Sequence, residues 1–219
     1  MLYFMETSVK FLLKFGSEQN IKNLFEKGEI YMNTIKTFKA YDAKGIGDKY
    51  EGITKILNPS QSTITFNFPN NPITINPIKL QLWETPKEHI GNIYSTYAIS
   101  DQLVKRKVSH KVDPRMQIFG SHCVLIKDVM GFFEGIFSEL DKQKITYSHN
   151  LVTYYDYKKL NHKLSYFSKS HLLSYQKEHR ILAKTQEEFP LKFEIGSIQN
   201  ISEIYSTRDI LESLVVKRG

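Results

Sequence analysis

Short apolar segments separated by turn residues constrain the fold of this chain more than any other feature. The clearest is "STITFNF" (residues 62–68), in which Ile64, Phe66 and Phe68 alternate with polar residues. "PNNP" follows as a turn sequence, and "ITINPIKLQLW" resumes as a second apolar segment interrupted by Pro77. Alternation with period two is typical of a half-buried strand, and an internal proline favours an edge strand or a bulge. Residues 62–83 are therefore predicted to form a β-hairpin.

The rest of the chain alternates further strand-like segments with a few helices. Ser17 is a suitable N-cap for a helix that ends before Gly28, and Asp128 is a suitable N-cap for a second helix. Helices are predicted at residues 18–27, 128–144 and 207–217, and strands at 9–15, 29–33, 92–100, 121–126, 150–157, 179–183 and 191–198. Residues 34–52 are polar and rich in glycine, which favours a surface loop beginning with one helical turn. The fold class predicted is α+β: a single domain, residues 1–219, with mixed, mainly antiparallel sheets and a few flanking helices.

Composition indicates a folded protein of the cytoplasm. The 219 residues include 41% hydrophobic side chains and one cysteine, so no internal disulfide can form and a reducing compartment is expected. The N-terminal segment lacks a basic lead-in, and the apolar runs are too short to cross a bilayer, so neither a signal peptide nor a membrane is expected. A net charge of +7 permits nucleic acid, anionic cofactors or acidic proteins as partners. The oligomeric state does not follow from these features.

The segment "HLLSYQKEHRILAK" (residues 171–184) carries the first candidate site. In a strand, Gln176, Glu178 and Arg180 would project from one face. A carboxylate held this way can accept a hydrogen bond from a sugar hydroxyl and stabilise positive charge as a bond to a sugar carbon breaks. Arg180 beside it would keep the carboxylate ionised by lowering its pKa. The competing interpretation is an exposed ion pair that contributes about 0–1 kcal/mol.

The predicted strand "NIYSTYAIS" (residues 92–100) carries the second candidate site. Ser95 and Tyr97 share one strand face and offer a hydroxyl and an aromatic plane. Aromatic planes stack on nicotinamide or nucleobases, and hydroxyls orient their polar edges. An ordinary strand with a buried tyrosine would have the same sequence.

Other polar motifs indicate simpler roles. "GIGDKYEG" (residues 45–52) lacks the glycine spacing of a dinucleotide fingerprint, and a turn that satisfies its own backbone is the preferred interpretation of Asp48 and Glu51. No histidine or cysteine spacing predicts a metal site, and no serine lies in a nucleophile elbow. Cys123 lies in an apolar strand and is predicted to be inert core.

The run "YYDYKKLNHKLSYFSK" (residues 154–169) mixes aromatic and basic residues. Its tyrosines Tyr154, Tyr155, Tyr157 and Tyr166 alternate with Lys158, Lys159, Lys163 and Lys169. Such a composition suits single-stranded nucleic acid, where rings stack on bases and lysines meet phosphates. Two strands and a loop with a solvated face remain the alternative.

Three quoted segments together resemble a bacterial and phage family called domain of unknown function 2971. "LLKFGSEQNIKNLFEKGEIYMNTIKTF" looks like the opening of that family, "GDKYEG" follows at the expected place, and "YFSKSHLLSYQKEHRIL" looks like its C-terminal signature. The resemblance spans most of the chain.

A remoter resemblance is to ADP-ribosyltransferases. In that fold a Ser-Thr strand supports nicotinamide and a later Q/E-x-E strand carries the catalytic glutamate; "STYAIS" and "YQKE" occur here in the same order. The resemblance implies NAD as a substrate, Glu178 and Gln176 as catalytic residues, and Ser95 and Tyr97 in the nicotinamide pocket. Lys14 in "LLKFG" stands where those enzymes carry Arg or His on the first strand. The cofactor-binding residues expected from this resemblance are therefore Lys14, Ser95, Tyr97 and Arg180, and no metal is expected.

The function expected from this resemblance is NAD-dependent ADP-ribosyl transfer to protein or nucleic acid, or NAD glycohydrolysis, in phage–host conflict or as a toxin. The alternative is a non-catalytic basic module that engages nucleic acid or an acidic protein through Lys105, Arg106, Lys107, Lys158 and Lys159. A scaffolding subunit is a third option, which an exposed apolar patch and a stable homodimer would mark.

Overall fold

The structure is a computed structural model that describes residues 9–40, 47–48, 50–87, 91–101, 109–185 and 189–217. Strands in these residues are β1 (Val9–Gly16), β2 (Glu29–Thr34), β3 (Lys55–Leu57), β4 (Ile64–Phe66), β5 (Ile73–Ile75), β6 (Leu82–Glu84), β7 (Asn92–Ser100), β8 (Ser109–Lys111), β9 (His122–Ile126), β10 (Tyr147–Leu151), β11 (Thr153–Tyr155), β12 (His162–Lys163), β13 (Ser168–Ser170), β14 (Glu178–Ala183), β15 (Leu191–Glu194), β16 (Ser202–Ser206) and β17 (Val215–Lys217). The α-helices are α1 (Glu18–Lys27), α2 (Ile35–Ala40), α3 (Val129–Lys142) and α4 (Thr207–Ser213), and the 3-10 helices are η1 (Pro114–Phe119), η2 (His171–Gln176) and η3 (Gln199–Ile201).

Eight strands form the central sheet. Its main path runs β10, β14, β7, β1, β9, β16, while β2 pairs with β7 and β15 pairs with β2. Every neighbouring pair in this sheet is antiparallel, and the parallel pair β11–β13 lies outside it. The predicted fold class, a mixed α+β structure with mostly antiparallel sheets and few helices, is confirmed.

The edge of β7 opposite β14 is shared between β1 and β2. β1 pairs with β7 as far as Leu13, which lies opposite Tyr97, and then continues to Gly16 beside β9. β2 joins β7 only at the start of β7, where Asn33 lies opposite Ile93 and Thr34 lies opposite Asn92. Along this edge, residues 94–96 have no strand partner in the described part of the chain. The sheet is therefore split between β1 and β2, and the split leaves room beside the middle of β7.

Helices pack on both faces of the sheet. One face is covered by α1 and α3, and the other by η1, η2 and α4. The buried side chains of the first face include Leu12, Ile21, Leu24, Tyr94, Ala98, Val124, Ile126, Phe132, Phe133, Ile136, Leu140 and Ile181. Those of the second include Leu13, Phe15, Tyr97, Ile99, Met116, Cys123, Tyr175 and Ile210. Each large apolar side chain removed from water contributes about 1.5–3 kcal/mol to folding.

Caps and turn residues fix the ends of the long helices. The Ser17 side chain accepts a hydrogen bond from the Asn20 N–H, and Asp128 accepts one from the Gly131 N–H, so both predicted N-caps are present. Gly28 ends α1 in the left-handed conformation with φ 65°, and its N–H donates to carbonyls of the last helical turn.

Several predicted elements are shorter than their sequence pattern suggested. Residues 73–83 form two separate strands because Pro77 lacks a ladder donor: β5 pairs with β4, whereas β6 pairs with β3. The apolar face of the β4–β5 hairpin is exposed rather than half-buried, since Phe66 and Ile73 each keep 47% of their surface. The last predicted helix stops at Ser213, and residues 215–217 form β17 beside β8.

The segment around Gln176 also differs from its prediction. Gln176 ends η2, Lys177 adopts the left-handed conformation with φ 43°, and β14 begins only at Glu178. Glu178 and Arg180 share a strand face as predicted, but Gln176 reaches the same region from a helical turn. No helix within the described residues is long and apolar enough to cross a bilayer. The assignment of residues 1–219 to one domain stays a prediction.

Candidate functional site

The register of β14 against β7 brings the two candidate segments together. Glu178 lies opposite Tyr97 and Arg180 lies opposite Ser95, so their side chains project from one face of the sheet. The Ser95 Oγ donates a hydrogen bond to Glu178 Oε2 at 3.3 Å. Ser95 and Glu178 therefore contact each other although 83 residues separate them in the chain.

The Glu178 carboxylate is held by two cations. Its Oε2 accepts from Arg180 Nε at 2.7 Å, and its Oε1 accepts from Lys169 Nζ. Burial raises the pKa of this carboxyl, but the charges of Arg180 and Lys169 outweigh burial and bring the pKa down to about 2. Glu178 is therefore ionised throughout the neutral range. Lys169 also donates to Gln176 Oε1, which ties the predicted Gln176 and Glu178 together.

Arg180 is held in turn by a carboxylate from the "GDKYEG" segment. Its Nη1 and Nη2 donate to the two carboxylate oxygens of Glu51 at 2.7 and 2.8 Å, and Nη1 also donates to the Tyr166 carbonyl at 2.6 Å. Both Arg180 and Glu51 are buried, with 3% and 2% of their surface exposed. Bidentate pairing of this kind is among the strongest hydrogen-bonded ion pairs. The arrangement is a buried network, not the exposed pair that was the competing interpretation.

Asp48 and Glu51 accept hydrogen bonds from residues outside their own turn. Asp48 accepts from the Tyr50 N–H at 2.9 Å, as expected of such a turn, but it also accepts from the Ser170 N–H at 3.4 Å. Glu51 contacts Arg180 as described above. The segments "GDKYEG" and "YFSKSHLLSYQKEHRIL" therefore meet in space around Glu178.

A cavity of about 620 Å³ lies in the split of the sheet. Its wall includes five of the six predicted site residues, namely Lys14, Ser95, Tyr97, Gln176 and Glu178. Arg180 is not part of this wall, because its guanidinium is engaged by Glu51 and Glu178. Apolar side chains of β1, α1, α2 and η1 form much of the remaining lining, together with the polar side chains of Ser17, Asn20, Glu29, Asn33 and Thr96. The cavity therefore combines apolar walls with several polar groups, as ligand sites commonly do.

Lys14 occupies the gap that the split leaves on the edge of β7. Its Nζ donates to the Ser95 carbonyl at 2.7 Å and lies 4.2 Å from the centre of the Tyr94 ring. Burial lowers the pKa of Lys14 to about 8, against the attraction of Glu178, which acts in the opposite direction. An ammonium group next to an apolar cavity is suited to binding an anionic part of a ligand.

Two side-chain oxygens in the cavity wall have no hydrogen-bond partner within the described residues. They are the Tyr94 hydroxyl and Thr96 Oγ1, both on residues with less than 5% exposure. Burying an unpaired hydroxyl costs about 1–3 kcal/mol. Each of these two oxygens exposes less than 1 Å², so a ligand in the cavity would reach them only after a local rearrangement of the wall.

Tyr97 forms the wall between this cavity and its neighbour. Its hydroxyl is hydrogen-bonded to His110 Nε2 at 2.6 Å, and its ring packs edge-on against Phe15. Burial, with a smaller effect of Asp113, raises the pKa of Tyr97, so the hydroxyl stays protonated.

The aromatic and basic run of residues 154–169 packs against the Glu178 network. Tyr157 and Lys169 are buried, and the Glu178 N–H donates to the Tyr154 hydroxyl at 2.9 Å. Lys158 and Lys159 are exposed, whereas Lys105, Arg106 and Lys107 lie outside the described residues. The tyrosine rings in this run are thus not a continuous exposed platform.

The described residues contain no group of three or more histidine, cysteine or acidic side chains that could hold a metal ion. Cys123 is buried, and burial raises the pKa of its thiol. The burial of Cys123 agrees with its predicted place in the apolar core.

Sequence reasoning missed Glu51 and Lys169. Both lie in segments that the sequence did single out, but Glu51 was interpreted as part of a self-contained turn and Lys169 as part of a solvated or nucleic-acid-binding face. The sequence around these two residues carries no sign of burial. The partner of Glu51, Arg180, lies 129 residues away, and the partner of Lys169, Glu178, lies beyond η2.

Comparison with known proteins adds no relative. No protein-family model, no curated protein and no solved structure matches this chain.

Proposed function

We propose that this chain is an NAD-dependent ADP-ribosyltransferase with an ADP-ribosyltransferase-like fold, or an NAD glycohydrolase when water is the acceptor. The observation that carries the proposal is the meeting of Lys14, Ser95 and Glu178, from three adjacent strands, at one cavity. These are the three strand positions that the resemblance to ADP-ribosyltransferases singles out. The cavity volume of about 620 Å³ is of the size that a nucleotide-like ligand requires.

In the proposed reaction the bond between the ribose C1′ and the nicotinamide nitrogen breaks. Its electron pair leaves with nicotinamide, which becomes neutral, and positive charge develops on the ribose. Glu178 accepts a hydrogen bond from a ribose hydroxyl and stabilises that charge electrostatically. The acceptor then forms a bond to C1′ and loses a proton to solvent or to a base on the acceptor.

The neighbouring residues have separate tasks in this proposal. Gln176 orients the acceptor, and Ser95 and Tyr97 line the nicotinamide pocket. Lys14 contacts NAD from the wall of the same cavity. Arg180 acts as a positioning residue: together with Lys169 it keeps Glu178 ionised and fixes the orientation of its carboxylate. The ribose hydroxyl would replace only the weaker contact of Glu178 with Ser95, at 3.3 Å, so the contact with Arg180 would remain when NAD is bound.

The test is release of nicotinamide from NAD, measured with wild type and Glu178→Gln in the presence of a host lysate. We expect Glu178→Gln to lower turnover by about 100-fold or more, because an electrostatic contact made in the transition state is lost. Transfer of labelled ADP-ribose, followed in the same samples, separates a transferase from a glycohydrolase.

Glu51→Gln is the matched control. It removes a carboxylate from the same buried network and from the same Arg180, yet Glu51 is not part of the cavity wall. We expect both variants to lose stability by about 3–5 kcal/mol, whereas Glu51→Gln keeps turnover within about tenfold of wild type when assayed well below its melting temperature. Absence of turnover in the wild type, or equal loss in both variants, would contradict the proposed role of Glu178.

A further inference from the structure

A second cavity, of about 530 Å³, lies on the other side of Tyr97. The chain between η2 and β14 alternates between the two cavities: Tyr175 and Lys177 belong to the second, whereas Gln176 and Glu178 belong to the first. The left-handed conformation of Lys177 produces this alternation, because it turns the chain between a helical turn and a strand. The two cavities therefore adjoin the same four residues.

The second cavity is lined by more positive than negative side chains. Among the described residues of the lining, Lys111, Arg115 and Lys177 contribute three cations, and Asp113 contributes the one carboxylate. His110, hydrogen-bonded to Tyr97, is also part of the wall. A concave surface with an excess of two positive charges attracts anions and concentrates them locally.

Three contacts hold this cationic wall in place. Arg115 donates to both carboxylate oxygens of Asp113, at 2.9 and 2.8 Å, and its guanidinium lies 3.9 Å from the centre of the Tyr175 ring. Ala98 on β7 donates its N–H to the Lys177 carbonyl at 2.8 Å, which anchors the left-handed residue to the central sheet. Such anchoring lowers the conformational entropy lost on binding a ligand.

We propose that this second cavity is a phosphate-binding site beside the candidate active site, formed by Lys111, Arg115 and Lys177. Its ligand is a phosphate-bearing group: either a phosphate of a nucleic-acid acceptor or the diphosphate of the dinucleotide. Assignment of the phosphate to one of these sources rests on the proposed function, whereas the phosphate site itself does not.

The first measurement is calorimetric titration with inorganic pyrophosphate, at low ionic strength and again at higher salt. We expect binding that weakens as salt rises, and at least a tenfold loss of affinity in the double variant Lys111→Gln, Lys177→Asn. Asparagine is chosen because it tolerates positive φ better than most residues. Lys144→Asn is the matched control: Lys144 is the other described non-glycine residue with positive φ, at 57°, and it is exposed after α3.

No binding of pyrophosphate by the wild type, or equal binding by wild type and the double variant, would overturn the phosphate site. Glu178→Gln is expected to bind pyrophosphate as the wild type does, since Glu178 does not line this cavity. Pyrophosphate binding that survives while NAD turnover is absent would therefore reject the proposed function and support the phosphate site.

Competition experiments distinguish the two sources. Displacement of pyrophosphate by NAD, but not by nicotinamide riboside, would assign the site to the dinucleotide diphosphate. Displacement by a short single-stranded oligonucleotide carrying a 5′-phosphate, and not by its unphosphorylated form, would assign the site to a nucleic-acid acceptor. Displacement by neither kind of probe would overturn the assignment of a biological phosphate to this cavity.

Discussion

Lys14 has an unusual environment for a lysine. Its ammonium group contacts a carbonyl oxygen and an aromatic face, and no carboxylate lies within ion-pair distance of it in the described part of the chain. Burial lowers its pKa from 10.5 to about 8. A position of this kind costs stability, because burial disfavours the charged form and no described carboxylate within ion-pair distance offsets that cost.

The stability of the protein should therefore rise with pH in the range where Lys14 loses its proton. Because the pKa is lower in the folded than in the unfolded protein, the unfolded state binds more protons between about pH 8 and 10.5, and the free energy of unfolding increases with pH there. We expect the wild type to gain about 2–3 kcal/mol relative to Lys14→Met across this window. Urea unfolding at several pH values measures the free energy of unfolding of both proteins. Lys10→Met, on the same strand but exposed, is the control; parallel curves for wild type and Lys14→Met would contradict the expectation.

At the scale of elements, the turn after α1 shows how one residue type sets the path of the chain. Gly28 has φ 65°, and a Cβ added there would lie 2.1 Å from the Gly196 carbonyl oxygen. Gly196 has φ 85°, but a Cβ added there would contact nothing within 4 Å. The two glycines thus share a positive φ and differ in the space around them.

Alanine at these two glycines should separate backbone strain from steric clash. We expect Gly196→Ala to lower the free energy of unfolding by about 1 kcal/mol, the cost of the left-handed conformation alone. Gly28→Ala should lower it by about 2–4 kcal/mol, because β15 must also move away from α1. Chemical denaturation of both variants measures the difference. Equal losses would show that the clash is relieved without displacing Gly196.

Capping residues and strand patterns in the sequence were sufficient to predict the elements whose ends or faces depend on neighbouring residues. Ser17, Gly28 and Asp128 marked helix ends correctly, the segment of residues 92–100 was predicted correctly as a strand, and alternation marked the β4–β5 hairpin. The break before Glu178 could not be predicted, since Lys177 adopts positive φ without being glycine or asparagine. Contacts with residues distant in the sequence, such as the hydrogen bond from the Ala98 N–H to the Lys177 carbonyl, stabilise that conformation. The residues next to Lys177 in the sequence give no indication of such contacts.

The same distinction applies to the candidate site. The strand faces of Ser95 with Tyr97 and of Glu178 with Arg180 followed from period two alone. Burial of the network did not follow, because the partner of Arg180 lies 129 residues away in Glu51. A charged residue in a polar segment is usually solvated, so only the folded arrangement distinguishes a buried carboxylate from an exposed one.

At the scale of the whole molecule, apolar surface is unevenly distributed. The two faces of the central sheet hold the large buried clusters, whereas the β4–β5 hairpin exposes its apolar face. Ile64 and Ile75, and Phe66 and Ile73, lie opposite each other on that face, and Thr65 and Thr74 share a hydrogen bond on the other. None of these side chains belongs to a buried cluster of the described residues, so the central sheet should supply the stability of the molecule.

Substitutions in the hairpin should therefore leave global stability almost unchanged. We expect the double variant Phe66→Thr, Ile73→Thr to change the free energy of unfolding by about 0.5 kcal/mol or less, because threonine keeps strand propensity and little buried area is lost. Phe132→Ala, which empties a fully buried position on α3, should lower the free energy of unfolding by about 3–5 kcal/mol. Thermal and urea unfolding at dilute protein concentration provides the comparison. A large loss in the hairpin variant would mean that the exposed face is covered in solution, and a concentration-dependent melting temperature in the wild type alone would identify a second copy of the chain as the cover.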